Sequence, residues 1–155
     1  SGLDDFITST REKFGARMFP INISGLRQVF KSLERNELLV FLPDQVPDYG
    51  ARGFIGTFFG HDAYTSDLVH RVISKYDSEI VFGSVMRDFS EGRVKYRICF
   101  EKPADEIYSK DVGVHISSLN SSLEKLVMKA PEQYQWSYKR YKRLNKLEKN
   151  IYRRQ

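Results

Sequence analysis

Close to the C-terminus the chain reads Ala130-Pro131-Glu132-Gln133-Tyr134-Gln135-Trp136-Ser137-Tyr138-Lys139-Arg140-Tyr141-Lys142. A proline suits the first position of a helix, because the N–H that it lacks has no intrahelical partner there. Glu132 at the start and basic residues toward the end match the helix dipole. We therefore predict one short helix, with Tyr134, Tyr138 and Tyr141 on a stripe that packs inward. Helix formation explains the charges of this segment but not its Gln-Tyr-x-Trp set.

The rest of the chain alternates between strand and helix patterns. Helical spacing of apolar residues predicts helices over 3–14, 23–33, 64–76 and 112–127, the third capped by Thr65 or Ser66. Apolar runs predict strands over 17–21, 38–42, 54–59, 79–86 and 94–101, the last two joined by a polar hairpin-like connection. The continuous run at 38–42 is typical of a strand covered on both faces. Strands alternating with helices predict an α/β fold with a mostly parallel sheet flanked by helices.

The composition is that of one folded domain. The chain has 155 residues, of which 41% are hydrophobic, enough for a single core. No apolar stretch approaches the ~18 residues that a membrane-spanning helix needs. Cys99 is the single cysteine, which excludes an internal disulfide, and its place in a predicted strand favours a small structural residue in a reducing compartment.

Basic charge is concentrated in the tail. Residues 139–155 hold eight Lys/Arg and one Glu, a net charge of +7, whereas the whole chain carries +5, so the remaining residues sum to −2. We therefore separate residues 1–142, the folded portion, from a basic tail over 143–155. Such a tail favours an anionic partner, either lipid head groups, nucleic acid or an acidic protein. A solvated helix end is the equally weighted alternative.

Candidate chemistry is sparse. The loop over 43–53 follows a predicted buried strand, where ligands gather in open α/β sheets. Asp44 is placed to accept hydrogen bonds there and Arg52 to hold a phosphate or carboxylate, although Asp44 and Asp48 are also ordinary turn formers. The three histidines have no partner at metal-ligand spacing, and none is followed by an acid five residues later. We expect no metal and no cofactor.

Six motifs, taken in order, resemble those of the lipid A biosynthesis acyltransferases of the lauroyl/myristoyl type, within the lysophospholipid acyltransferase superfamily. They are Leu3-Asp4-x-Phe6-Ile7-x-x-x-Arg11-x-x-x-Gly15, Gly25-Leu26-Arg27-x-Val29-x-x-x-Leu33, Pro43-Asp44-Gln45, Gly53-x-x-Gly56-x-Phe58-Phe59-Gly60, Ala63-x-Thr65 and Ala130-Pro131-Glu132-Gln133-Tyr134-x-Trp136-x-x-x-Arg140-x-Lys142. A Pro-Asp-Gln tripeptide alone occurs by chance, but the ordered set is specific. It corresponds to the C-terminal half of the family and implies the C-terminal part of a glycerol-phosphate-acyltransferase-like fold.

The resemblance assigns roles to individual residues. Arg11 resembles the arginine of the second family motif, placed to bind acceptor phosphate or stabilise developing charge. Asp44 and Gln45 resemble the third motif, which shapes the acceptor site. Arg52 and the turn Phe58-Phe59-Gly60 would line or support the same cleft. For the set Glu132, Gln133, Trp136 and Arg140, the C-terminal motif of the family, we expect a structural role in packing against the core.

The implied reaction is acyl transfer from acyl-carrier protein to a hydroxyl of a lipid A precursor. In the family a His-x4-Glu/Asp dyad supplies the general base, and this chain lacks that motif. We expect the dyad upstream of Ser1, an inactive chain on its own, a parent enzyme at the cytoplasmic face of the bacterial inner membrane, and self-association through the face left uncovered. The alternative is a non-enzymatic module whose basic aromatic tail binds anionic lipid, acyl-carrier protein or nucleic acid, nucleic acid being the least favoured.

Overall fold

The computed structural model describes residues 2–19, 23–89, 92–144 and 152. The chain divides into two compact units, Ser1–Val40 and Phe41–Gln155. Among the described residues, no helix combines the length and hydrophobicity needed to cross a bilayer. Most of the basic tail predicted over 143–155 lies outside the described residues, and the boundary at 142/143 stays a prediction.

The N-terminal unit contains two helices, α1 (Gly2–Glu12) and α2 (Ile23–Glu34). Both helices were predicted and are confirmed. On α2 the described residues Leu26, Phe30 and Leu33 are partly buried, as the apolar spacing predicts. The strand predicted over 17–21 is not found at residues 17–19, which are irregular, and residues 20 and 21 lie outside the described part.

The run over residues 38–42, which spans the boundary between the units, was predicted as a buried strand. This prediction is wrong for the described structure, in which the run is irregular and has no strand partner. Leu38 and Val40 are 90% and 82% exposed. An apolar run forms a strand only where a neighbouring strand hydrogen-bonds to its backbone N–H and C=O groups. The described residues contain no such neighbouring strand.

Strands β1 (Gly53–Phe58) and β2 (His61–Ser66) form an antiparallel hairpin, with Phe58 opposite His61. Because β2 occupies residues predicted as the start of a helix, the next helix, α3 (Leu68–Lys75), begins later than the predicted 64–76. Thr65, predicted as a helix cap, is a fully buried strand residue, and Asp67 takes the N-cap position without a side-chain capping bond. Ser66, the other predicted cap, also pairs with β1, and its hydroxyl accepts the Leu68 N–H at 3.2 Å. Pairing with β1 therefore delays the start of the helix, while one side-chain bond of the predicted kind is present.

A second antiparallel hairpin follows, formed by β3 (Phe82–Asp88) and β4 (Lys95–Glu101), and it confirms both predicted strands. Cys99 lies in β4 and is partly buried, as predicted. One face of this hairpin is apolar and exposed: Val85 pairs with Ile98, and the two are each 62% exposed, while Phe100 is 74% exposed.

Helix α4 (Val112–Val127) confirms the longest predicted helix and carries the core of the C-terminal unit. Asp111 caps it, since its Oδ1 accepts the N–H groups of Gly113 and Val114 at 2.7 and 3.0 Å. The core that Leu119 and Leu123 join also contains Phe58, Ala63, Phe82 and Ile107. This is a mixed α/β structure, but the prediction of a mostly parallel sheet is not confirmed. In the described part of the chain both strand pairs are antiparallel hairpins, because consecutive strands joined by short connections pair in that sense.

The predicted helix over the C-terminal segment is also wrong. Pro131–Gln133 forms a single 3-10 turn, the chain then continues through non-helical turns, and a second 3-10 turn, Lys142–Leu144, begins at the last residue of the segment. Short-range bonds replace the helical pattern: Trp136 N donates to the carbonyl of Tyr134 at 2.9 Å and Arg140 N to that of Tyr138 at 2.8 Å. Tertiary hydrogen bonds of the segment's own side chains, described next, hold this irregular path.

Candidate functional site

Arg140 is the centre of a polar cluster inside the C-terminal unit. It is only 2% exposed. Its Nη1 donates to the carbonyl of Tyr64 at 2.7 Å and its Nη2 to the hydroxyl of Thr65 at 2.6 Å. The guanidinium also lies over the ring of Phe58, 5.4 Å from the centroid, which is a cation–π geometry. The last motif of the sequence is thereby fixed to strand β2.

The cluster continues into helix α4 through Asn120. Its side-chain amide donates to the carbonyl of Thr57 at 3.0 Å and lies 3.3 Å from the Thr65 hydroxyl. Asn120 and Thr65 are both fully buried, so each polar group depends on its neighbours for hydrogen bonds. Gly56 provides the space, because a Cβ there would lie 2.5 Å from the Cγ2 of Ile116 and 3.1 Å from the Asn120 amide nitrogen.

Asp44 joins the same cluster through the tyrosines of the C-terminal segment. The Tyr134 hydroxyl donates to the Asp44 carboxylate at 3.2 Å, and the Tyr138 hydroxyl accepts the Val46 N–H at 2.7 Å. The loop that carries Asp44 is therefore held at two points by residues about 90 positions later in the chain. Gln45, predicted to act beside Asp44, is exposed, and its backbone N–H donates to the carbonyl of residue 42 at 3.3 Å.

Burial sets the protonation of this cluster. It lowers the pKa of Arg140 from the ordinary arginine value, although an arginine keeps its proton under any ordinary condition. Burial also raises the pKa of Tyr134, with the Asp44 carboxylate adding to the shift. Tyr134 is thus a neutral hydrogen-bond donor to Asp44. The cluster can orient a carboxylate and place positive charge behind it, and within the described residues it contains no histidine.

The predicted turn Phe58-Phe59-Gly60 forms the tip of the first hairpin. Phe59 and Gly60 have φ of +47° and +74°, which is the backbone of a two-residue type I′ turn. Phenylalanine rarely adopts such a φ, and two contacts hold it there. Its N–H donates to Glu124 Oε1 at 2.7 Å, and its ring lies 5.6 Å from that of Trp136. The turn therefore supports the C-terminal segment, and Phe58 alone of the three faces Arg140.

The other residues of the C-terminal motif attach the segment to its surroundings. The Gln133 side chain accepts the Arg87 N–H at 2.7 Å and donates to the Arg87 carbonyl at 3.0 Å, so that it pairs with β3 as a neighbouring strand would. Trp136 Nε1 donates to the Pro131 carbonyl at 2.7 Å. Glu132 is exposed. These contacts are of the kind expected for a structural role, which remains a prediction.

Two further predicted site residues, Arg52 and Arg11, have surroundings of their own. Arg52 pairs with the buried carboxylate of Asp67, Nε to Oδ2 at 3.2 Å, and its own side chain is 69% exposed. Arg11 belongs to the N-terminal unit, at the last turn of α1, and is exposed. The predicted role of Arg52 in the Asp44 cleft and that of Arg11, to bind acceptor phosphate or stabilise developing charge, stay predictions.

Sequence reasoning did not name Thr65, Asn120, Tyr134 and Tyr138 as site residues. Asn120 carried a usable signal: an amide beside the apolar residues Ile116, Leu119 and Leu123 of one helix must find buried partners. The histidines offer no alternative centre. His115 is buried and its Nδ1 lies 2.6 Å from the Ile107 carbonyl, and no group of three His, Cys, Asp or Glu side chains suited to a metal occurs among the described residues.

Comparison with known proteins identifies the family. The family model described as bacterial lipid A biosynthesis acyltransferase matches residues 1–143. The chain is 30% identical over 137 residues to the lipid A biosynthesis palmitoleoyltransferase of Escherichia coli (strain K12) and to the lipid A biosynthesis acyltransferase of Shigella flexneri. These alignments cover 86% of this chain and 42% of each relative. The lipid A biosynthesis lauroyltransferase of Escherichia coli (strain K12) is 27% identical over 119 residues, which are 76% of this chain and 38% of that protein. The chain thus spans less than half the length of these relatives. Because the family match extends over nearly all of its residues, the chain belongs to the bacterial lipid A biosynthesis acyltransferases.

Proposed function

We propose that this chain is the acceptor-side portion of an enzyme that transfers a fatty acyl group from acyl-carrier protein to a hydroxyl of a lipid A precursor. The observation that carries the proposal is the Arg140 cluster. Three motifs that are distant in sequence, Asp44-Gln45, Ala63-x-Thr65 and the segment ending at Arg140, meet there through direct hydrogen bonds. A framework of this kind fixes a carboxylate-bearing loop in one geometry, which is what the positioning of a hydroxyl substrate requires.

In this proposal Asp44 receives the acceptor. One of its oxygens accepts the Tyr134 hydroxyl, and the carboxylate retains capacity for a substrate hydroxyl. Tyr134 and Arg140 are positioning residues in this proposal, because Tyr134 bonds to Asp44 and Arg140 to strand β2. Gln45, exposed beside Asp44, is the second proposed acceptor contact, and Arg11 is proposed to bind the acceptor phosphate.

The general base comes from elsewhere in this proposal. The chain contains no His-x4-Glu/Asp motif, and the relatives extend well beyond the aligned portion. We propose that a segment outside this chain supplies the dyad, whose histidine removes the proton of the acceptor hydroxyl as the oxygen attacks the acyl thioester. The carrier thiol then leaves, and the acyl group ends on the acceptor oxygen. Alone, the 155-residue chain should be inactive.

The same longer protein would complete the sheet. The run over 38–42 is apolar, irregular and without a strand partner in the described part of the chain. We propose that it joins a parallel sheet of the glycerol-phosphate-acyltransferase type once its neighbouring strands are present. The exposed face formed by Val85, Ile98 and Phe100 should make the chain self-associate when that remainder is missing. Light scattering would show dimers or larger species, and a strict monomer would contradict this step.

The proposed location is the cytoplasmic face of the bacterial inner membrane. The net charge of +7 over residues 139–155 suits either the anionic membrane surface or an acidic acyl-carrier protein. Nucleic acid is not favoured, because the hydroxyls of Tyr134, Tyr138 and Tyr141 bond to other parts of the chain and so face inward.

The acceptor role of Asp44 is tested in the longer enzyme that contains this chain. Asp44→Asn keeps the shape but removes the charge, and kcat/KM for the lipid A precursor should fall about tenfold or more. Asp48→Asn, in the same loop and exposed, is the matched control and should stay near the wild-type value. Trp136 fluorescence reports whether either variant disturbs the fold. Equal kinetics for the two folded variants would overturn the assignment of Asp44.

A further inference from the structure

A second polar site in the C-terminal unit lies apart from the Asp44 hydrogen bonds. It is a cleft of about 480 Å³ between the start of β1, helix α3 and the chain at the start of α4. Its lining residues are mostly basic: Arg52, Phe54, Asp67, His70, Arg71, Ser74, Lys75, Lys110 and Val112. Four permanent cations surround a single carboxylate, so the cleft carries an excess of positive charge.

The carboxylate organises the two arginines. Asp67 is 1% exposed, and its two oxygens meet Arg52 Nε at 3.2 Å and Arg71 Nε at 3.3 Å. Each arginine contacts Asp67 through Nε, so its terminal amino groups remain for another acceptor. Within the described part of the chain these amino groups make no hydrogen bond. Arg52 and Arg71 therefore both form ion pairs with one buried acid, while Arg71 Nε and Asp67 Oδ1 have no hydrogen-bond partner among the described residues. Two guanidinium groups placed in this way can bind a tetrahedral anion together.

Neighbouring residues complete the cleft. The Nε2 of His70 lies 3.2 Å from the Lys110 carbonyl, so that α3 contacts the chain two residues before α4 begins. Phe54 and Val112 add an apolar wall. A bare anion would leave this wall uncovered, so the cleft fits a phosphate group carried on a larger body.

We propose that Arg52, Arg71 and Lys110 form a binding site for a phosphate monoester, with Asp67 positioning the arginines. The shared chemistry is the doubly charged phosphate, which either a lipid headgroup or a free phosphate compound presents. This site goes beyond the proposed acyl transfer, because it assigns Arg52 to a phosphate site with Arg71 and Lys110 and requires no reaction at Asp44.

Direct binding tests the proposal without any measurement of acyl transfer, so that failure here leaves the proposed function standing. The 155-residue chain, labelled with ¹⁵N, is titrated with inorganic phosphate and followed by NMR. Saturable shifts should concentrate in residues 66–75 and 110–112. Lys110→Gln should weaken the apparent affinity about tenfold, whereas Lys102→Gln, an exposed lysine outside the cleft with the same charge change, should have little effect.

A second pair of variants guards against a fold defect. Arg71→Gln should weaken phosphate binding at least as much as Lys110→Gln, and Arg93→Gln, exposed and outside the cleft, is its control. A second experiment distinguishes a lipid headgroup from a free phosphate compound. Phosphatidylcholine vesicles containing phosphatidic acid are sedimented with each variant. Loss of vesicle binding in Lys110→Gln but not in Lys102→Gln identifies a lipid headgroup, and binding of phosphate without vesicles identifies a free phosphate compound. Equal losses of binding in the cleft variants and their controls would overturn the proposal. So would the absence of both localised NMR shifts with phosphate and vesicle binding.

Discussion

Replacing Arg140 by alanine tests whether its cluster stabilises the C-terminal unit. The side chain makes two charge-assisted hydrogen bonds, at 2.7 Å to the Tyr64 carbonyl and 2.6 Å to the Thr65 hydroxyl. Each such bond contributes about 1.5–3 kcal/mol, and removing a buried charge returns part of that sum. We expect the free energy of unfolding to fall by about 3 kcal/mol. Arg140→Lys, which keeps the charge but loses the planar fork, should lose about half as much.

The assay is urea denaturation followed by the fluorescence of Trp136, the single tryptophan. Its ring lies 4.8 Å from Tyr134 and 5.6 Å from Phe59, so its emission reports this unit. Arg93→Ala, an exposed arginine, is the control and should stay within about 0.5 kcal/mol of wild type. The midpoint should move without a change of slope. A loss below about 1 kcal/mol for Arg140→Ala would refute the view that Arg140 joins the motifs.

Three further changes test separate parts of the fold. Gly56→Ala places a Cβ 2.5 Å from Ile116 Cγ2, so urea denaturation should show a loss of about 1–3 kcal/mol, and wild-type stability would show that the helix gives way freely. Gln133→Ala removes both hydrogen bonds to the Arg87 backbone, which should cost about 1–2 kcal/mol and speed amide exchange at Arg87, whereas unchanged exchange would contradict the pairing. Burial lowers the pKa of His115 below its ordinary 6.5, so the unfolded chain takes up the proton first. The stability that comes from keeping the buried His115 neutral is present above the unfolded pKa, and it is lost as pH falls below that value toward the folded pKa. The unfolding free energy of wild type should therefore drop more than that of His115→Gln between about pH 7.5 and about pH 5.5, and parallel curves would exclude His115 as the cause.

The sequence predicted helices and hairpin strands well where the pattern was local. Helix α4 and strands β3 and β4 follow directly from apolar spacing. The failures share one cause, which is competition from distant partners. Residues 64–66 have a helix-capping pattern but pair with β1, and the segment after Pro131 is turned by side-chain bonds to β3 and to the loop of Asp44.

The predicted mostly parallel sheet is not confirmed, for a related reason. The continuous apolar run over 38–42 has no strand neighbour among the described residues. Apolar side chains of this run are therefore exposed. For the site, the ordered motifs identified Asp44 and Arg140 as members of one family pattern. Only the fold shows that Tyr134 bonds to Asp44 and that Arg140 bonds to Thr65, which in turn contacts Asn120. Arg52 was predicted beside Asp44, whereas its contact is with Asp67, a residue that carried no motif of its own.

Acyl transfer itself tests the central claim most directly. Three proteins are compared: the 155-residue chain, this chain joined to the proposed dyad-bearing segment, and the joined protein with the dyad histidine replaced by alanine. Each is given acyl-loaded carrier protein and lipid A precursor. The product is measured by mass spectrometry. We expect acylated precursor from the joined protein alone. Equal activity of the isolated chain, or full activity without the dyad histidine, would contradict it.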